Sequence, residues 1–154
     1  MHHEKIREAR SPADRLVVAE LIEEYRATLP DHVRAGQSNV LGDGRDGPAP
    51  AILLLCVIGD RPAGCVCLCP VTEQVAEIKR LYTVAGYRGR GLGERLLAAA
   101  IDQARAKGFA TVRLGTLRSM DAAQRLYQRA GFIPAPPFDD ADPVDELHFE
   151  MALR

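Results

Sequence analysis

Residues 87–97, YRGRGLGERLL, interleave three glycines with arginine and leucine and then continue as an amphipathic helical pattern. The first turn of a helix exposes backbone N–H groups that lack an intrahelical acceptor, and it carries about half a positive charge. Because glycine has no Cβ, an anion can approach such a backbone closely, and a neighbouring arginine can donate hydrogen bonds to phosphate oxygens. The segment therefore predicts a pyrophosphate-binding loop, and a tight turn without a ligand is the alternative.

Two common phosphate-binding motifs do not fit this loop. A P-loop requires the pattern G-x-x-x-x-G-K-[ST], which the chain does not contain. A dinucleotide-binding fingerprint requires a third glycine where Glu94 stands, and an acidic residue about 20 positions further on. No Asp or Glu occurs between Lys107 and Met120, so this motif is excluded as well.

The bulk composition is that of one ordinary globular domain, residues 1–154. The chain is 47% hydrophobic and 27% charged, and its formal net charge is −1. No global charge attracts it to nucleic acid or to an anionic membrane, so neither is an expected partner. Since no apolar run is long enough for a bilayer and the first residues do not resemble a signal peptide, we expect a cytoplasmic location.

Two groups of metal-ligating residue types have simpler explanations. Cys65, Cys67 and Cys69 alternate along a predicted strand, which places the three thiols on one face. Zinc sites prefer wider spacing and a second ligand cluster, so we expect these cysteines to pack in the sheet, with a redox or metal role as the alternative. His2 and His3 are expected to be exposed terminal residues rather than a zinc pair. The sequence therefore predicts no metal site.

Hydrophobic periodicity predicts the order strand, helix, three strands, helix, strand, helix, strand, which is a mixed α/β arrangement. Turn and capping residues mark the boundaries. The predicted strands are residues 3–9, 51–58, 63–69, 75–84, 111–117 and 146–153. The first predicted helix begins after Ser11 and ends before Pro30, the second begins at Leu92 and ends before Gly108, and the third begins after its cap Ser119 and ends before Gly131. Residues 31–50 and 133–143 are predicted loops.

Two stretches of the chain resemble the GNAT superfamily of acetyl-CoA-dependent N-acetyltransferases. Residues 88–93, RGRGLG, match the acetyl-CoA signature [RQ]-x-x-G-x-[GA], directly after the strand AEIKRLYTV. Residues 122–132, AAQRLYQRAGF, are similar to a second common segment, A-x-x-L-Y-x-x-x-G-F. The order of elements resembles the family over essentially the whole chain. The resemblance implies an α/β (α+β) GNAT fold, a mixed central sheet of six to seven strands flanked by helices, in which central strands splay to bind acetyl-CoA.

The resemblance also implies how acetyl-CoA would be held without a metal ion. Backbone groups of Leu81 and Thr83 would pair with the pantetheine arm, with an amide near Leu81 polarising the thioester carbonyl, and the glycine loop would bind the diphosphate. Many family members carry an Asn where this chain has Met120, so either Ser119 or backbone groups would have to make that contact. The implied cofactor-binding positions are Leu81, Tyr82, Thr83, Arg88, Gly89, Arg90, Gly91, Leu92, Gly93 and Ser119, although the ring of Tyr82 reads as a packing or surface group.

Two side chains are implied as catalytic groups. Glu77, four residues before Leu81 and predicted on the same strand face, is the candidate base; the alternatives are a water chain and a carboxylate merely paired with Lys79 or Arg80. Tyr127 matches the tyrosine that many family members use as the general acid for the leaving thiolate. The alternative for Tyr127 is a core aromatic residue.

The implied reaction is acetyl transfer to a primary amine, expected to be a small molecule, by direct attack in a ternary complex. A non-catalytic acyl-CoA-binding module and a protein-lysine acetyltransferase are the alternatives. The predicted loop at residues 31–50 and the variable stretch at residues 135–146 should border the acceptor site. Because the second is acidic, it would attract a cationic amine, unless it is simply a solvated loop. Subunit pairing is common in the family, so a homodimer is a possible assembly.

Overall fold

The computed structural model describes residues 3–31, 50–137 and 146–153. Within these ranges the chain alternates strands and helices, with a short 3₁₀ turn at Ala85–Tyr87 before the second helix. The elements are β1 (Glu4–Glu8), α1 (Pro12–Arg26), β2 (Ile52–Ile58), β3 (Arg61–Pro70), β4 (Val75–Thr83), α2 (Leu92–Ala106), β5 (Thr111–Leu117), α3 (Asp121–Ala130), β6 (Ile133–Ala135) and β7 (Glu146–Ala152).

The described strands form one mixed seven-stranded sheet in the order β1-β2-β3-β4-β5-β7-β6. Neighbouring strands are antiparallel except β4 and β5, which are parallel. The α2 helix provides the long crossover that a parallel pair requires. The predicted fold class, a mixed sheet of six to seven strands flanked by helices, is therefore confirmed.

Helices cover both faces of the sheet and bury two separate clusters. One face, called here the α2 face, packs against α2 and α3; the other, called the α1 face, packs against α1. Alternate residues of a strand therefore enter different clusters, as the pleat requires. The α2 face includes Leu54, Val66, Ile78, Val112 and Leu114 with Leu96 and Leu97; the α1 face includes Leu53, Leu55, Cys65, Cys67 and Tyr82 with Val18, Leu21 and Ile22.

The predicted helix boundaries are mostly confirmed. The Ser11 hydroxyl accepts a hydrogen bond from the Asp14 N–H at 3.1 Å, and Pro12 begins α1. Beyond α2, Gly108 adopts a left-handed φ of 86°, as expected for the residue that ends a helix. Gly131, with φ of 106°, ends α3 in the same way.

Two local predictions are wrong. The residue that caps α3 is Met120 rather than Ser119, and no side chain caps the helix; instead the Gln124 amide donates to the carbonyls of Leu117 and Arg118 at 3.1 and 3.0 Å. Residues 133–135, predicted as loop, form β6 at the edge of the sheet beside β7. Pro134 lacks an N–H, but an edge strand tolerates proline because one side of it needs no partner.

The cysteines pack as the sequence predicts. Cys56, Cys65 and Cys67 are buried, Cys69 is partly buried, and all four are free thiols. Burial raises the pKa of Cys65 to about 12 and that of Cys56 to about 11. These thiols therefore stay protonated at neutral pH and are poor nucleophiles.

Some expectations concern residues outside the described ranges. Most of the predicted loop at residues 31–50 lies there, as do His2 and four of the five acidic residues predicted to form a rim, which are Asp139, Asp140, Asp142 and Asp145. Glu146 is the member of that rim that the structure describes. Of the helices in the described ranges, none combines the length and the apolar character that crossing a bilayer takes.

Gly64 of β3 supplies the first test of the fold. A Cβ at Gly64 would lie 2.6 Å from the Tyr82 carbonyl oxygen and 2.9 Å from Leu96 Cδ1, so β3, β4 and α2 would have to separate. We expect Gly64→Ala to lower the free energy of unfolding by about 1–3 kcal/mol, measured by urea denaturation. Gly86→Ala is the matched control, because no atom lies within 4 Å of its added Cβ. Equal midpoints for the two variants would refute this packing.

Candidate active site

The central feature of the site is an opening between β4 and β5. The two strands pair only from Val75 to Glu77 and from Thr111 to Arg113. Beyond that point β4 stays paired with β3, and β5 with β7, but not with each other. The opening, called here the fork, leaves backbone N–H and C=O groups on each side without a sheet partner, so they are available to a ligand. The predicted splaying of central strands is thus observed.

A β-bulge at Arg80 alters the strand that borders the fork. Arg80 has a φ of 56°, and Arg80 and Leu81 together oppose the single residue Val66 of β3. The extra residue shifts the alternation, so that Leu81 packs on the α2 face and Tyr82 on the α1 face. Glu77 and Leu81 consequently lie on opposite faces, and the predicted shared face is wrong.

The glycine loop has the backbone geometry that an anion site needs. Gly89 and Gly91 have φ values of 79° and 77°, in the left-handed region that favours glycine. Gly91 caps α2, whose first backbone bond runs from Arg95 N–H to the Gly91 carbonyl at 3.2 Å. In the part of the chain that the structure describes, the N–H groups of residues 89–94 have no hydrogen-bond acceptor. They form a group of donors at the positive end of the helix dipole.

Arg88 and Arg90 flank this loop as exposed cations. Arg88 Nε donates to the Thr83 carbonyl at 3.0 Å, and its guanidinium lies 5.8 Å from the ring centroid of Tyr82. The Arg90 guanidinium lies 5.7 Å from the ring centroid of Tyr87. Because a guanidinium has five N–H donors, Arg88 can tie the loop to the end of β4 and still contact an anion.

Arg95 braces the loop from the first turn of α2. Its guanidinium binds both carboxylate oxygens of Glu4 at 2.6 Å and donates to the Arg90 carbonyl at 3.0 Å. An added Cβ at Gly91 would lie only 2.9 Å from Arg95 Nη1, so the glycine leaves room for this contact. The hydrogen bonds from Arg95 lower the pKa of Glu4. The first strand is thereby connected to the loop.

Tyr127 of α3 is 8% exposed and packs in the α2-face core. Its ring lies 6.1 Å from that of Phe132 and 6.2 Å from that of Phe149, between centroids. No described residue offers its hydroxyl a hydrogen-bond partner. Burial raises the pKa of Tyr127, and interaction with Tyr25 raises it further, so the phenol stays protonated at neutral pH. The structure therefore places the Tyr127 ring in the core, and its hydroxyl makes no hydrogen bond to a described residue.

Tyr25 was not selected from the sequence. It lies in the last turn of α1 on the α1 face, with its ring 5.7 Å from that of Tyr82, and burial raises its pKa. Tyr127 belongs to the opposite face of the sheet. The spacing of Tyr25 in the sequence could have indicated its position, because it lies four residues after Leu21 and three after Ile22 and so continues their apolar stripe.

Glu77 lies at the last paired position before the fork. Its Oε1 is 2.9 Å from Arg113 Nε and its Oε2 is 3.5 Å from Lys79 Nζ, and its side chain is 15% exposed. Pairing with Lys79 was one of the alternatives from the sequence, whereas Arg113 was missed because parallel strand register is not readable from one sequence. The carboxylate therefore forms ion pairs with two cations.

Ser119 and Met120 lie in the turn before α3. Ser119 is exposed and caps nothing, while the Thr116 hydroxyl contacts Met120 Sδ at 3.7 Å. The turn leads into the helix that carries Tyr127. In the described ranges no group of three or more His, Cys, Asp or Glu side chains is arranged to hold a metal ion.

Comparison with known proteins identifies the family. Residues 15–132 match the model of the acetyltransferase (GNAT) family. The chain is 32% identical over 84 residues to an uncharacterised N-acetyltransferase, YsnE, of Bacillus subtilis, a match that covers 53% of this chain and 56% of that protein. It is 40% identical over 123 residues to the mycothiol acetyltransferase of Thermobispora bispora, covering 79% of this chain and 38% of that protein. The chain therefore spans about half or less of the length of these curated relatives.

Solved structures agree at the level of the fold. A GNAT-family acetyltransferase from Staphylococcus aureus has a TM-score of 0.76 at 17% identity, covering 99% of this chain and 100% of its own. The Salmonella typhimurium protein YncA, solved with acetyl-CoA, has a TM-score of 0.73 at 18% identity, covering 98% of this chain and 94% of its own. With its family match, its signature loop and its forked sheet, the chain belongs to the acetyltransferase (GNAT) family.

Proposed function

We propose that this protein transfers an acetyl group from acetyl-CoA to the primary amine of a small molecule, by direct attack in a ternary complex. The observation that carries the proposal is the group of N–H donors at residues 89–94, which have no acceptor among the described residues and lie beside the open fork. The acetyl-CoA in the Salmonella relative's structure and the name of the mycothiol acetyltransferase support the donor and the type of reaction. The four free cysteines favour a reducing compartment, the cytoplasm.

The shape of the fork suits a coenzyme A thioester. The diphosphate would accept hydrogen bonds from the N–H groups of residues 89–94, with Arg88 and Arg90 beside it. From Thr83, where the loop meets β4, to Leu81 is about 7 Å along the strand. A pantetheine arm laid along this edge would pair with backbone groups as an added strand does. Its thioester would then lie near the bulge at Arg80.

The acceptor amine has to lose a proton before it can attack. An alkyl ammonium has a pKa of about 10.4, so a proton acceptor is needed near neutral pH. We propose Glu77 for this role, directly or through a water molecule, because it lies at the closed end of the fork. Its two oxygens already contact Arg113 and Lys79, so a substrate amine has to compete with these ion pairs for the carboxylate. We therefore expect Glu77→Gln to have a smaller effect than loss of the Tyr127 hydroxyl.

The leaving coenzyme A thiolate would receive a hydrogen bond from Tyr127. A thiol has an ordinary pKa of about 8.5, well below that of this phenol, so complete proton transfer from Tyr127 would be uphill. The hydroxyl therefore acts mainly by donating a hydrogen bond as negative charge develops on the sulfur. Such a bond to a charged group contributes about 1.5–3 kcal/mol.

The proposed activity is tested by release of coenzyme A thiol from acetyl-CoA in the presence of polyamines, amino acids, aminoglycosides or lysine peptides. Because the pKa values of the buried cysteines are raised, they add little background to a thiol reagent. We expect release with at least one free amine. Binding of acetyl-CoA without release for any amine would identify a non-catalytic acyl-CoA module, and release with peptides alone would identify a protein acetyltransferase.

Removing the Tyr127 hydroxyl should separate catalysis from binding. Tyr127→Phe keeps the ring between Phe132 and Phe149, so we expect about a 10- to 100-fold lower kcat with unchanged coenzyme A affinity. Steady-state kinetics and calorimetric titration measure the two quantities. Tyr87→Phe, a tyrosine outside the fork, is the control and should retain full activity. An unaltered kcat in Tyr127→Phe would leave Tyr127 as a core residue only.

A substitution at Gly93 should affect ligand binding without lowering stability. A Cβ at Gly93 would stand 3.6 Å from Leu126 Cδ2 and 3.9 Å from Thr83 Oγ1, so it fits the fold. We expect Gly93→Ala to keep or increase stability, since alanine suits a helix better, and to weaken coenzyme A binding about tenfold by blocking close approach. Gly86→Ala is again the control. Undiminished affinity in Gly93→Ala would argue against a diphosphate at this turn.

A further inference from the structure

On the α1 face beyond the fork, β7 presents a carboxylate and an imidazole side by side. Glu146 Oε2 lies 3.1 Å from His148 Nε2, and the two side chains are 36% and 2% exposed. A carboxylate only accepts hydrogen bonds, so Nε2–H donates to Glu146 and fixes its orientation. The buried imidazole therefore holds a partly exposed carboxylate in place.

These two side chains lean over β5 toward the fork. Gly115 pairs in register with His148, and a Cβ at Gly115 would lie 3.4 Å from His148 Cδ2 and 3.7 Å from Glu146 Oε2. Gly115 lies two residues past Arg113, the last residue paired with β4, which is about 7 Å into the fork. Although Leu114 and the residue after the glycine are buried, Gly115 itself is exposed, so solvent reaches the backbone beside these two side chains.

The fork is thus bordered on the α1 face by two carboxylates that differ in their hydrogen-bond and ion-pair partners. Both oxygens of Glu77 contact cations, Arg113 and Lys79. Glu146 has one oxygen bound to His148, and no described residue forms a hydrogen bond or ion pair with its other oxygen. A charged amine entering from the α1 face would therefore find an available acceptor on Glu146.

We infer that Glu146, held by His148 over the bare backbone of Gly115, binds the cationic nitrogen of the acceptor and makes this protein selective for amines that are protonated in water. The inference rests on the proposed function, because it takes the α1 side of the fork as the acceptor side. It assigns binding to Glu146 and orientation of Glu146 to His148. Gly115 provides the space in which the amine lies.

The test uses the full chain saturated with coenzyme A and a matched pair of probes, benzylamine and benzyl alcohol, with binding followed by ligand-detected NMR titration. We expect the wild-type complex to bind benzylamine more tightly than the uncharged alcohol. Glu146→Gln should weaken benzylamine binding about 10- to 100-fold and leave benzyl alcohol binding and coenzyme A affinity unchanged. Glu73→Gln, which removes a carboxylate from an exposed turn, is the matched control.

Further variants test the arrangement itself. His148→Gln can keep a donor near the Nε2 position and should retain most benzylamine affinity, whereas His148→Leu should lose it without loss of coenzyme A affinity. Gly115→Ala fits the backbone at ordinary contact distances but fills the space, so we expect weaker amine binding in a folded protein. If an amine is acetylated, these losses should be in KM more than in kcat.

The outcomes separate this inference from the proposed function. Equal benzylamine affinity in wild type and Glu146→Gln overturns the inference, as does a wild-type complex that does not prefer the amine to the alcohol. Selective loss of amine binding in Glu146→Gln supports it, even if no acetyl transfer is observed. Acetyl transfer that does not depend on Glu146 would leave the proposed function standing and remove this residue from it.

Discussion

The short pairing between β4 and β5 is the constraint on which the site depends. Three residues of parallel pairing hold the strands together from Val75 to Glu77, and beyond them no backbone hydrogen bonds join the two strands. A sheet interior does not normally leave backbone groups unpaired, since each costs free energy when it is buried without a partner. Tyr127 from α3 lies on the α2 face of the sheet and Tyr25 from α1 lies on its α1 face.

The two faces of the fork carry different chemistry. At its mouth on the α2 side, glycines with left-handed backbone present N–H donors at the start of a helix, and this end is positive. On the α1 face, Glu77 forms ion pairs with two cations, while Glu146 is oriented by an imidazole. An anionic carrier and a cationic acceptor would therefore approach the same opening from opposite sides. The bulge at Arg80 lies between them and sets which side chains of β4 face each one.

Much of this could be predicted from the sequence because it depends on local rules. The glycine loop, the Ser11 cap and the buried cysteines follow from spacing and from the conformational freedom of glycine. The bulge could not be predicted, because an extra residue in one strand depends on the partner strand. The same is true of the contact between Glu77 and Arg113, which are 36 residues apart and meet only through parallel register. The strand at residues 133–135, predicted as a loop, could not be recognised either, because its position at the sheet edge is a property of the whole fold.

The central claim is that the N–H groups of residues 89–94 bind the diphosphate of coenzyme A, and amide NMR tests it most directly. In a ¹⁵N-labelled sample the amide proton resonances of these residues should shift downfield as coenzyme A is added, since new charge-assisted hydrogen bonds form. Pantetheine, which lacks the diphosphate, should not shift the amide proton resonances of residues 89–94. It should instead shift those of the β4 edge near Leu81 and Thr83. Saturation with coenzyme A without a change at residues 89–94, or equal changes with pantetheine, would contradict the account.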